Sequence, residues 1–147
     1  MAITAAMVKE LRETTGVGML DCKKALAETN GDMEKAIEYL REKGLAASAK
    51  KAGRIAAEGI VYTFITDCNK KGVIVEVNSE TDFVAKNATF REYVDKVAKQ
   101  AISSEAKDMD AFLAEKWEED PSLTVADALS QEVAIIGENL KIRRFEK

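Results

Sequence analysis

Apolar residues recur first at helical spacing, then at every second position, then at helical spacing again. Thr4 is placed to cap a helix whose face is Met7, Val8 and Leu11. Thr15-Gly16-Val17-Gly18 breaks the period with a glycine turn. Met19, Cys22, Ala25 and Leu26 then line one side of a second helix, ended by Asn30-Gly31. Asp32 caps a third, with Met33, Ala36, Ile37 and Leu40 at i, i+3, i+4 and i+7 and Gly44 as its stop. Residues 1–44 therefore predict a three-helix unit with a small core. Residues 45–58 are rich in alanine and lysine without a large apolar stripe, and predict a basic helical linker.

From Gly59 the period is two. Ile60, Tyr62 and Phe64 share one face, and after Asn69-Lys70-Lys71-Gly72 so do Val73, Val75 and Val77. Two such runs around a glycine-containing turn predict a hairpin. Helical spacing returns with Phe90, Tyr93, Val94, Val97 and Ala101, and again with Met109, Phe112, Leu113 and Trp117. Asp120-Pro121-Ser122 interrupts. Thr124 caps a last helix bearing Val125, Leu129, Val133 and Ile136, closed by Gly137, and residues 140–145 alternate as a third strand. The fold class predicted for residues 59–147 is α+β: a small three-stranded antiparallel sheet with helices packed on one face.

Composition narrows the chemistry. The chain has 147 residues and no histidine, so it holds no Ser-His-Asp or Cys-His couple and no histidine-ligated metal. Its two cysteines, Cys22 and Cys68, are too few for a structural zinc site but could form one disulfide. No phosphate-loop, dinucleotide-binding, CxxC or HExxH pattern occurs. No enzyme activity, cofactor or metal is expected. The start Met1-Ala2-Ile3-Thr4 is not that of a signal peptide and no apolar run could span a bilayer, so the expected setting is soluble and cytoplasmic. Net charge is −4, which argues against bulk binding to nucleic acid.

Four stretches could carry function. In Asn78-Ser79-Glu80-Thr81-Asp82-Phe83-Val84, Ser79, Thr81 and Asp82 can cap a helix start. Phe83 and Val84 then either tuck into the core, or form with Asp82 a protruding tip that carries a carboxylate beside an aromatic anchor. Met19 and Leu20 are adjacent and point about 100° apart, so either the core face is wide or one of them is exposed for a partner. Lys43, Lys50, Lys51 and Arg54 are cations with no aromatic interleaved for base stacking, which favours a solvated linker over a nucleic-acid site. In Ile136-Gly137-Glu138-Asn139-Leu140, Gly137 is a fitting helix end.

Three of these stretches also carry a resemblance. The run from Leu11 to Leu26, which includes Thr14-Thr15-Gly16-Val17-Gly18-Met19-Leu20-Asp21-Cys22, resembles the first signature of bacterial elongation factor Ts. Glu76-Val77-Asn78-Ser79-Glu80-Thr81-Asp82-Phe83-Val84-Ala85-Lys86-Asn87 resembles the second, and Ile136-Gly137-Glu138-Asn139-Leu140-Lys141-Ile142-Arg143-Arg144 a third stretch. The order is that of the family, and the matches extend over nearly the whole chain. The resemblance implies a guanine-nucleotide exchange factor that binds elongation factor Tu, GDP-bound or nucleotide-free, in translation elongation. It implies a ubiquitin-associated-like bundle at residues 1–44, docking through Arg12, Met19, Leu20 and Lys23. It implies that Thr81, Asp82, Phe83 and Val84 form the segment that displaces Mg²⁺ from the partner, with Ile136 and Gly137 near the same interface. Leu20 stands where the family often has methionine, and Ser79 where it often has cysteine. Family members usually continue into a second core subdomain, so the chain is expected to be an N-terminal fragment with partial activity, without direct contact to nucleic acid or membrane. Two other classes stay open on the residues alone. One is a general interaction module built on residues 1–44, and the other an RNA binder using Lys43, Lys50, Lys51 and Arg54.

Overall fold

Three short helices open the fold of the computed structural model, which describes residues 2–147. Thr4 accepts the Met7 N–H at 3.2 Å and starts α1 (Ala5–Thr15), which Gly16 closes in the left-handed conformation at φ 71°. α2 (Met19–Glu28) and α3 (Met33–Lys51) follow, the latter capped by the Asp32 carboxylate on the Lys35 N–H at 3.0 Å. Their small core is Val8, Leu11, Cys22, Ala25, Leu26, Ala36 and Leu40. Met19, expected on that inner face, is exposed, because one turn of α2 already fills the space with Cys22, Ala25 and Leu26. Cys22 is a free buried thiol and Cys68 a free exposed one, so the disulfide left open by the sequence is not formed.

Gly44 is not the expected stop. α3 runs on to Lys51, since Leu45, Ala46, Ala47 and Ala49 are good helix formers and glycine ends a helix only where the chain next turns left-handed. Gly44 is buried where α3 crosses α7 (Val125–Ile136), with Ala134 and Gln131 as neighbours. Residues 45–51 therefore belong to α3, and only residues 52–57 lead on to the sheet.

β1 (Glu58–Ile65) and β2 (Gly72–Ser79) form an antiparallel hairpin, and β5 (Lys141–Glu146) adds antiparallel to the other edge of β2, giving the order β1-β2-β5. Val73, Val75 and Val77 point from β2 onto α5 (Ala88–Ser103), whose inner face is Phe90, Tyr93, Val94, Val97 and Ala101. The Tyr62 hydroxyl donates to Asp95 at 2.6 Å and the Lys99 ammonium sits 2.7 Å from the same carboxyl, tying β1 to α5. These contacts, that of Lys99 first, hold the Asp95 carboxyl below its ordinary range. Val61, Ile65 and Ile74 stay exposed on the uncovered face of the sheet. The larger part is thus α+β, a three-stranded antiparallel sheet with helices on one face.

The structure departs from the expected pattern between residues 115 and 123. α6 (Met109–Ala114) ends before Trp117, which lies in β3 (Lys116–Trp117), paired with β4 (Asp120–Thr124). The buried Gln100 side chain explains the change: it accepts the Glu118 N–H at 2.9 Å and donates to the Lys116 carbonyl at 3.1 Å, so the backbone there is held extended. Trp117 enters the core from this strand, with its ring centroid 6.0 Å from that of Tyr93. Pro121, expected to interrupt, sits instead in a strand of an isolated pair, where its missing donor costs little. Thr124 and Asp127 form a full capping box on α7, and the Arg41 guanidinium reaches Asp127 at 2.7 Å from α3.

Two stability predictions follow from this packing. A Cβ on Gly44 would meet Ala134 Cβ at 3.8 Å, an ordinary contact, so Gly44→Ala should stabilise the chain by about 0.5–1 kcal/mol and raise its melting temperature by a few degrees. Among the described residues, one sealed carboxyl oxygen of Glu132 on α7 and the buried Tyr93 hydroxyl have no hydrogen-bond partner. Burial pushes the Glu132 carboxyl up to about 7, with the Lys96 cation opposing and the Glu92 carboxylate adding. A raised folded-state pKa means that the folded chain holds the extra proton. The stability it confers is therefore full below the ordinary carboxyl pKa of 4.5 and is lost as pH rises through about 7. Glu132→Gln should then stabilise the chain by about 1–2 kcal/mol at pH 8 and little at pH 4.5, measured by thermal melts. An equal effect at both pH values would assign the gain to packing.

Candidate partner-binding site

The corner that follows β2 is where the expected site residues are most closely organised. β2 pairs with β1 up to Ser79, and beyond that residue the ladder supplies no acceptors. The Ser79 side chain, fully buried, donates to the Thr81 carbonyl at 2.9 Å and bends the chain. Thr81 then caps the single-turn helix α4 (Asp82–Ala85), its hydroxyl accepting the Val84 N–H at 3.4 Å. Ala85 and Val84 face inward, the first buried and the second half-buried against the main core. Asp82 and Phe83 face out, and Phe83 is 81% exposed. Of the two arrangements open on sequence, the tucked one holds for Val84 and fails for Phe83. A four-residue helix has one inward face, and Val84 and Ala85 occupy it.

Glu80, Glu138 and Asn139, to which the sequence assigned no functional role, hold this corner in place. The Glu138 carboxylate accepts the Glu80 N–H at 3.1 Å, the Thr81 N–H at 3.0 Å and the Thr81 hydroxyl at 2.7 Å. In return the Glu80 carboxylate accepts the Asn139 N–H at 2.8 Å. The Arg54 guanidinium lies 3.6 Å from that same Glu80 oxygen, and the Asn139 side chain donates to the Arg54 carbonyl at 2.8 Å. Glu138 sits there because Gly137 closes α7 left-handed at φ 84°, turning the next residue toward β2. Ile136 packs against the core and Gly137 is exposed, so neither is the polar contact of this loop. The partners are 57 to 59 residues apart in sequence, beyond the reach of any local spacing rule. The only signal was that the second and third motifs each carry an acidic residue beside a turn.

A second group lies on the three-helix unit. Leu20 is 76% exposed and Met19 55%, both at the start of α2. Lys23 is exposed one turn after Met19, and Arg12 is exposed in the last turn of α1, its carbonyl bound by the Gly16 N–H at 2.8 Å. The structure does not bring this group into contact with Phe83. The two are linked through α7: Ile135 lies beside Gly16, and three residues later Glu138 holds Thr81. A groove of about 700 Å³ is lined by Gly16–Gly18 and by Lys43, Lys50, Lys51 and Arg54, with Ala134 and Ile135 of α7. The four cations Lys43, Lys50, Lys51 and Arg54 thus line one groove, and among the described residues no aromatic lines it. Among the described residues, no three His, Cys, Asp or Glu side chains come together as a metal site, and no helix is long and apolar enough to cross a membrane.

Comparison with known proteins agrees with the motifs. Residues 80–147 match the family described as elongation factor TS. Elongation factor Ts of Clostridium novyi (strain NT) is 59% identical over 145 residues, covering 99% of this chain and 47% of the relative. That of Halothermothrix orenii is 57% identical over 147 residues, covering 100% and 49%, and that of Clostridium tetani 59% over 145, covering 99% and 48%. The chain spans about half the length of the curated relatives it matches. Over nearly all of its own residues, then, the chain is similar to elongation factor Ts, the resemblance its three motifs carry.

Proposed function

We propose that the chain is a guanine-nucleotide exchange factor for elongation factor Tu in translation elongation. The observation that carries this reading is the exposure of Phe83 beside Asp82 on a corner held by Glu138. An aromatic ring left four-fifths in water gains little for folding. Burying it in a partner would recover about 2 kcal/mol of hydrophobic free energy. The adjacent carboxylate would then be brought near the partner's nucleotide, where a bound Mg²⁺ is among the largest local charges. Disturbing that cation weakens the grip on the phosphates of GDP. Arg12, Met19, Leu20 and Lys23 would supply separate docking contacts, with Leu20 as their apolar anchor. Ile136 and Gly137 act through the loop they position.

The thermodynamics require no covalent step. A factor that binds the nucleotide-free partner better than the GDP-bound one must, by linkage, weaken GDP by the same ratio. The chain is thus a binding protein whose catalysis of exchange is a coupling between two ligands of its partner. The same reading places it in the cytoplasm, where elongation takes place.

The test is release of fluorescent GDP from elongation factor Tu. Phe83→Ala should slow release at saturating factor by roughly tenfold or more while the melting temperature stays within about 1 °C, because the ring makes few contacts within the chain. Normal release by that variant would remove Phe83 from the mechanism. Leu20→Asp should weaken binding by roughly tenfold with the release rate at saturation nearly unchanged. A loss of the saturating rate instead would place Leu20 with the tip rather than with docking.

A further inference from the structure

The geometry points to Glu138 as the positioning residue of the Asp82–Phe83 tip, an inference that rests on the exchange reading above. Three donors of residues 80 and 81 converge on its one carboxylate, at 3.1, 3.0 and 2.7 Å. Two of them are main-chain N–H groups, so the carboxylate fixes the backbone itself. The third is the hydroxyl of Thr81, whose oxygen also accepts the Val84 N–H and so sets the start of α4. One side chain therefore holds both residues that lie between the end of the strand and the start of the helix. Asp82 and Phe83 are the next two residues after this anchored point.

The fixed points of the tip lie in the backbone on either side of it. Phe83 is mostly in water, and Asp82 makes no hydrogen bond or ion pair within the described residues, so their placement comes entirely from the backbone on either side. Downstream, Val84 and Ala85 pack on the core. Upstream, the anchors are Glu138 and the buried Ser79 hydroxyl, which donates to the Thr81 carbonyl. Without Glu138 the corner keeps its apolar downstream footing but gains freedom at Glu80 and Thr81, and the entropy of ordering the tip falls on the binding step. Glu80 completes the arrangement by accepting the Asn139 N–H, which holds the Glu138 loop against the corner that it clamps.

A residue that acts only through the tip predicts a distinct pattern of kinetics. In the GDP-release assay with elongation factor Tu, Glu138→Ala should lower the rate at saturating factor about tenfold and shift the half-saturating concentration less than about threefold, since docking through Leu20 is untouched. Glu138→Gln, which keeps an oxygen for both N–H groups, should restore the rate to within about threefold of the parent chain. In the Phe83→Ala background, Glu138→Ala should cost less than about twofold, because the group it positions has gone. If Glu138→Ala melts below the assay temperature, Glu138→Asp, which retains the charge but withdraws it by one methylene, runs the same cycle. Losses from positions 83 and 138 that multiply independently would overturn the assignment, as would a parent-like rate for Glu138→Ala. Failure of the unsubstituted chain to release GDP, or full activity of Phe83→Ala alone, would instead bring down the exchange reading.

Discussion

Backbone donors that leave a β-ladder must find acceptors elsewhere, and the corner after β2 has two of them on successive residues. The ladder ends at Ser79, while the chain must turn at once into α4. Leaving the Glu80 and Thr81 N–H groups unpaired would cost about 1–3 kcal/mol each if they were buried. Glu138 meets both and takes the Thr81 hydroxyl as well. That single carboxylate ties the loop after α7 to the corner that carries the exposed tip.

α7 is the element through which the two parts of the chain meet. Its first turn receives Arg41 from α3 through Asp127, and its middle packs against buried Gly44. Its end places Ile135 beside Gly16 and Glu138 against Thr81. The partly buried Arg41–Asp127 pair holds better than a surface pair would, because Asp127 is also fixed by its capping box and accepts both groups at once. The three-helix unit and the tip thus share one rigid helix as their common support, although they do not touch.

Where the sequence was legible, it was because the signal was local. The caps at Thr4, Asp32 and Thr124 and the alternation in β1 and β2 are written within a few residues, and each appears as read. Gly44 misled because a glycine looks the same inside a helix as after one, and only the buried crossing with α7 distinguishes the two. Trp117 misled because the spacing from Met109 continues a helical period by chance. The buried side chain of Gln100, 16 to 18 residues away, imposes a strand instead. At the site, the exposed tip was one of two readings of a capped turn, and burial of Val84 and Ala85 left Phe83 outside. The clamp was barely legible, because Glu80 and Glu138 look like ordinary surface acids beside turns until the fold brings them together.

The clamp also divides unequally the freedom of its residues to change during descent. The donors at positions 80 and 81 that matter most are main-chain, and almost any side chain there would still present them. The acceptor is a side chain, and only a carboxylate of the length found at position 138 meets all three donors at once. Drift is therefore cheap where only the main chain is used, and costly at Glu138 and at Thr81, whose hydroxyl also caps α4. A residue outside the exposed tip is thus constrained by the geometry of the tip.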